Sequence, residues 1–111
     1  MEITTHNEGD ALVACIGGKI DTVSAQDFDR EMAALAGQVP KLLVLDLAGL
    51  EYISSAGLRV ILSTAKTLKA GGGEVRLAAT AGSVHKVLQI SGFFNMFKSF
   101  ASREDALAAG S

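Results

Sequence analysis

Residues 42–62 read LLVLDLAGLEYISSAGLRVIL. The opening Leu/Val run has the composition of a strand covered on both faces, as interior parallel strands are. From Leu58 the period changes. Leu58, Ile61, Leu62, Ala65 and Leu68 fall at i, i+3, i+4, i+7 and i+10, one stripe of an amphipathic helix, with Arg59, Ser63 and Lys66 on its other side. The hand-over from strand to helix falls on Ser54-Ser55-Ala56-Gly57.

Upstream, EITTHNEGDALVACIGGKID reads as a hairpin, with Ile3 and the threonines in a first strand, NEGD as the turn, and ALVACI as a buried second strand before Gly17-Gly18. Phe28, Met32 and Leu35, with Ala25 on the same face, predict a helix. Asp21, Thr22 and Ser24 are its candidate caps, and Gly37 its terminator. Downstream of AGGGE, EVRLAA alternates as a strand and Val84, Val87 and Leu88 mark a helix ended by Gly92. A short strand in MFKSF follows, then a last helix whose Ser102 and Asp105 are spaced like a capping box. The order is β-β-α-β-α-β-α-β-α. Such alternation calls for an α/β fold: a mixed, mostly parallel sheet of four to five strands with about four helices, joined by right-handed crossovers.

The length of 111 residues suits one compact domain, and no linker, repeat or low-complexity tract divides it. Hydrophobic residues make up 49% and charged residues 20%, which excludes a disordered chain. Ten basic and twelve acidic residues give a net charge of −2 with both signs scattered, so no nucleic-acid or acidic-lipid footprint is present. The start MEITTHNEGD has no signal-peptide pattern, and the apolar runs are far shorter than the roughly 20 residues a membrane helix needs. A cytoplasmic protein without direct membrane insertion is expected, and the single Cys15 fits a reducing compartment.

Two readings attach to the serines. A serine at this junction suits a helix N-cap, its hydroxyl accepting from a first-turn amide. An exposed hydroxyl there also accepts a phosphate readily, because the helix terminus offers free amides and partial positive charge. A phosphoserine adds about −1.5 to −2 charge to its surface. Gly57 leaves room for another molecule's backbone to approach.

Nearly the whole chain resembles the STAS domain, most closely the bacterial anti-sigma factor antagonists. The resemblance rests on GGKID before the first helix, LLVLDLAGLEYISSAGLRVIL at the centre, GGGEVRLA after it, and VHKVLQISGFFNMF near the end. It implies the STAS fold over residues 1–111. In the family the phosphorylated serine lies in Asp-Ser-Ser/Ala-Gly-Leu, which places the acceptor on Ser55, followed by Ala56, Gly57 and Leu58. The preceding Asp is replaced by Ser54, which removes a carboxylate and supplies a rival hydroxyl. The resemblance further implies a serine-kinase anti-sigma factor and a metal-dependent serine phosphatase as partners in a partner-switching system. Asp21, and with less support Thr22, would share the docking face with Ser54, Ser55, Ala56, Gly57, Leu58 and Arg59. No cofactor is implied, and a monomer is expected.

Other side chains have plainer readings. Asp21 is equally a helix cap, and Arg59, at i+4 from Ser55, is a solvated charge or a partner for phosphate or carboxylate. His6 and His85 with one cysteine give no metal-ligand spacing, and Cys15 reads as core. AGGGE lacks the Lys-Ser/Thr of a phosphate-binding loop. Phe93, Phe94 and Phe97 supply core anchors, with one ring of GFF available as a contact. Two alternatives remain. One is a STAS adaptor of a membrane transport assembly, never phosphorylated. The other is a serine hydrolase, for which ISSAG lacks the Gly-x-Ser-x-Gly elbow and neither histidine is placed as a base. No enzymatic activity is expected.

Overall fold

A computed structural model describes residues 1–110. Its elements are β1 (Glu2–Glu8), β2 (Ala11–Ile20), α1 (Ser24–Ala36), β3 (Leu42–Ile53), α2 (Ser55–Ala70), β4 (Glu74–Ala78), α3 (Gly82–Ile90), α4 (Phe93–Met96), β5 (Lys98–Phe100) and α5 (Arg103–Ala108). The five strands form one sheet in the order β1-β2-β3-β4-β5. Only the β1–β2 pair is antiparallel; the other pairs are parallel. This is the mixed, mostly parallel α/β sheet the sequence pattern predicts.

The central strands bury both faces, for the reason their composition suggests. On one face Leu12, Ala14, Ile16, Leu43, Leu45, Leu47, Val75 and Leu77 join Phe28 and Met32 of α1 and Ile61 and Leu68 of α2 in the main core. On the other, Val13, Val44 and Ala78 pack with Ala106 of α5. The helix predicted from Phe28, Met32 and Leu35 buries those residues together with Ala25.

Several boundaries differ from expectation, each for a local reason. β1 runs to Glu8, leaving a turn at Gly9 and Asp10 in which Gly9 takes a φ of 62°. β2 does not stop at Gly17-Gly18. It continues to Ile20 through register shifts at Cys15/Gly17 and Gly18/Lys19, with Gly18 at φ 80°. Gly17 and Gly49 lie opposite each other there, and a Cβ on Gly49 would come within 3.3 Å of the Gly17 Cα. The 93–96 segment forms α4, a fifth helix, seeded by Gly92 at φ 76°. The buried face of α2 is Gly57, Val60, Ile61, Thr64 and Leu68, whereas Leu58, Leu62 and Ala65 are only partly buried. The helix is thus rolled away from the stripe its leucines suggest. It buries Thr64 because that hydroxyl is satisfied by the Val60 carbonyl at 2.8 Å.

Arg76 is the largest departure. Alternation in EVRLAA leaves it on a polar face, yet it is 3% exposed, because α5 lies across that face. Its Nη1 donates to the Ala106 and Ala109 carbonyls at 2.6 and 2.8 Å, its Nη2 to Gly110 at 3.1 Å, and its Nε and Nη2 to Glu74. The arginine closes the C-terminus of α5. At that helix's other end, the Ser102 hydroxyl accepts from the Asp105 amide at 3.1 Å, one half of the predicted capping box.

Candidate functional site

The parallel pairing of β2 and β3 brings their C-terminal ends side by side, with Ile20 opposite Ile53. The Ser54 amide donates to the Ile20 carbonyl at 2.8 Å, so the chain leaves both strands from one hydrogen-bonded platform. α1 and α2 both start there and pack on each other.

The adjacent serines have opposite environments. Ser54 is extended (φ −80°, ψ 166°), 7% exposed, and accepts from the Gly57 amide at 3.2 Å through its hydroxyl. It is the N-cap of α2, and its carbonyl receives the Leu58 amide at 3.0 Å. Ser55 is the first residue of the helix and is exposed. Among the described residues no hydrogen bond reaches the Ser55 or Ala56 amide, as expected for the first turn of a helix. No acidic side chain lies in that turn.

Gly57 is buried. A Cβ there would stand 2.8 Å from Ile53 Cγ1 and 2.9 Å from Ile20 Cγ2. The missing side chain clears the protein's own isoleucines; the clearance read above for an approaching molecule is on the inner side. Leu58 is half-buried against the core, and Ala56 is half-exposed at the surface.

Asp21 caps α1. Its Oδ1 accepts from the Ser24 amide at 2.8 Å, and the Ser24 hydroxyl accepts from the Asp21 amide at 2.9 Å. This reciprocal pair has the logic of a capping box with the residue types exchanged. The Asp21 carbonyl receives the Ala25 amide at 2.9 Å, so the first turn starts at Asp21, ahead of the regular helix. The Ser24 amide, then the Ser24 hydroxyl, hold the Asp21 carboxyl below its ordinary value of 3.8. Thr22 and Val23 form the exposed turn between, Val23 being 77% exposed.

Between the two helices runs an open groove of about 450 Å³. Thr22, Gln26 and Asp29 line its α1 side, and Ala56, Arg59 and Ser63 its α2 side. The predicted residues Thr22, Ala56 and Arg59 therefore meet in one feature. Gln26, Asp29 and Ser63 complete it and were not singled out. Their signal was helical spacing: they continue the exposed rows that begin at Thr22 and Ala56. Arg59 is exposed, with no ion-pair partner among the described residues.

The remaining candidates lie elsewhere. Cys15 is half-buried on the far face of the sheet, with Arg103 Nη1 donating to its Sγ at 3.1 Å, beside an Asp46–Arg103 ion pair at 3.5 Å. This polar setting differs from the apolar core position expected for it. His6 faces Glu8 at 3.5 Å, while His85 bonds Thr80 at 2.7 Å and stacks on Phe94 at 4.8 Å. Phe93 and Phe97 are buried core anchors. Among the described residues no group of three or more His, Cys, Asp or Glu side chains is placed to hold a metal ion, and no helix is long and apolar enough to cross a membrane.

The STAS domain family profile matches residues 2–106. A protein of Bordetella bronchiseptica named as a candidate anti-sigma factor antagonist, BtrV, is 40% identical over 109 residues, 98% of this chain and 94% of its own. The anti-sigma-F factor antagonist RsfB of Mycobacterium tuberculosis is 28% identical over 109 residues, covering 96% of this chain and 87% of RsfB. Among solved structures, the Bacillus cell fate determinant SpoIIAA, an anti-sigma factor antagonist, shares the fold. Its unphosphorylated form has a TM-score of 0.82 at 19% identity, covering 96% of this chain and 93% of SpoIIAA. Its phosphorylated form has a TM-score of 0.73 at 18% identity, covering 96% of each chain. The chain belongs to the STAS domain family, within which these relatives are named as anti-sigma factor antagonists.

Proposed function

We propose that this protein is an anti-sigma factor antagonist controlled by phosphorylation of Ser55. Unphosphorylated, it binds a serine-kinase anti-sigma factor and so frees a sigma factor. The bound kinase transfers the γ-phosphoryl group of ATP to the Ser55 Oγ, releasing ADP and the hydroxyl proton, and binding ends. A metal-dependent serine phosphatase reverses the mark. The chemistry is done on this protein, not by it.

The observation that carries this reading is the division of labour between the two serines. Ser54 is buried and committed to the cap, while Ser55 is exposed and immediately precedes Ala56, a lining residue of the α1–α2 groove. A phosphate on Ser55 meets the free amides and partial positive charge of the α2 terminus, so the domain tolerates it. An interface does not. Burying such a charge uncompensated costs several kcal/mol, and ~4 kcal/mol corresponds to about a thousandfold in affinity. The existence of a SpoIIAA structure in a phosphorylated form supports a modifiable site in this family. The 40% identity to BtrV and the 28% identity to RsfB favour this reading over a transport adaptor.

The test is incubation with candidate kinases and ATP, reading intact mass and locating the phosphate by peptide mapping. One phosphate on Ser55 is expected, and Ser55→Ala should bind the kinase while Ser55→Asp binds far more weakly. A phosphate on Ser54, or equal binding by the two variants, would overturn the assignment.

A further inference from the structure

We propose that Arg59 is the internal counter-ion of a phosphate on Ser55, so that modification adds a dianion to the α2 terminus and simultaneously withdraws the cation from the α1–α2 groove. This rests on the Ser55 reading above and assigns a role within it to a second residue.

Ser55 and Arg59 stand four residues apart on one exposed side of α2, where side chains are neighbours with Cβ atoms about 5–6 Å apart. The guanidinium has no competing ion pair among the described residues, and the first turn of α2 holds no carboxylate to occupy it. A guanidinium fork matches two phosphate oxygens, so the pairing is geometrically specific as well as attractive.

The groove gives the pairing its consequence. Before modification, Arg59 on the α2 wall and Asp29 on the α1 wall give the groove one charge of each sign. Once Arg59 is held by the phosphate, Asp29 on the α1 wall is left without its opposite. The groove then presents acid alone. A partner that meets Arg59 with a carboxylate loses its contact as well as encountering the phosphate.

The experiment uses full-length protein carrying phosphoserine inserted at position 55 during translation, so it needs no kinase. The second ionisation of the phosphate, near 6 for phosphoserine, is followed by phosphorus NMR. Arg59→Gln should raise that midpoint by about 0.3 pH unit, the size expected of one exposed i,i+4 ion pair, and Arg59→Lys should restore part of it. Lys66→Gln removes the same charge about 16 Å along the helix, beyond the screening length, and should leave the midpoint in place. In the phosphorylated parent the Arg59 Nε–H resonance should move with the same midpoint. Equal midpoints for the phosphorylated parent and Arg59→Gln, or equal shifts from Arg59→Gln and Lys66→Gln, would overturn the pairing. Failure of every kinase to modify Ser55 would overturn the earlier reading instead, and leaves this measurement intact.

Discussion

Two helix ends in this protein are treated in opposite ways. At the C-terminus of α5 the carbonyls of Ala106 and Ala109 are met by the buried guanidinium of Arg76. At the N-terminus of α2 one amide is met by Ser54 and the amides of Ser55 and Ala56 face outward without a partner among the described residues. The difference teaches where charge is permanent and where it is exchangeable. A cation built into the fold holds α5 against the sheet, whereas the positive end of α2 lies beside the exposed Ser55 hydroxyl, the phosphate acceptor proposed above.

The sharpest way to break this contrast is Arg76→Met. It leaves the α5 carbonyls and the partly exposed Glu74 without their donor, so a loss of about 1–3 kcal/mol is expected in urea unfolding. A loss below 1 kcal/mol would mean that water replaces the guanidinium and α5 is only loosely held. At the other helix end, Gly57→Ala drives a methyl against Ile20 and Ile53. The overpacking cost of about 1–3 kcal/mol is offset by roughly 1 kcal/mol of helix propensity. A net destabilisation is expected in urea unfolding, and a stability equal to the parent's would mean that Ile20 and Ile53 shift aside freely.

Ser54→Ala and Ser55→Ala separate the paired hydroxyls. Loss of the cap should cost about 1 kcal/mol, while the exposed Ser55→Ala should stay within about 0.5 kcal/mol of the parent. Equal costs would dissolve the division of labour on which the phosphorylation reading stands. The smallest effect is expected at Asp21. Its carboxyl titrates below its ordinary value because the Ser24 amide and hydroxyl favour the ionised form. The depressed folded value means that this contribution is complete above the unfolded carboxylate pKa and is lost as pH falls through the lowered one. Carboxyl NMR should place the Asp21 midpoint below 3.8, and Ser24→Ala should move it upward.

The element order was legible because each stretch kept a single period: Leu/Val runs for β2 and β3, and Phe28, Met32 and Leu35 for α1. The junction at Ser54–Ser55 was legible for the same reason, since the period changes there. Three features were not. The burial of Arg76 depends on α5, which is distant in the chain, so alternation alone could only turn that side chain outward. The roll of α2 is decided by contact with α1, which favours Val60 and Thr64 over the larger leucines. Capping preference treats Ser54 and Ser55 alike. Only the hydrogen bond from the Ser54 amide to Ile20 anchors Ser54 at the strand end and leaves Ser55 as the first helical residue.

That same hydrogen bond carries a consequence for recognition. Because the ends of β2 and β3 are tied together, the surroundings of Ser55 are assembled from two segments far apart in the chain. An enzyme modifying this hydroxyl would read a three-dimensional epitope, which an excised linear peptide does not reproduce. The native domain itself is then the specificity determinant.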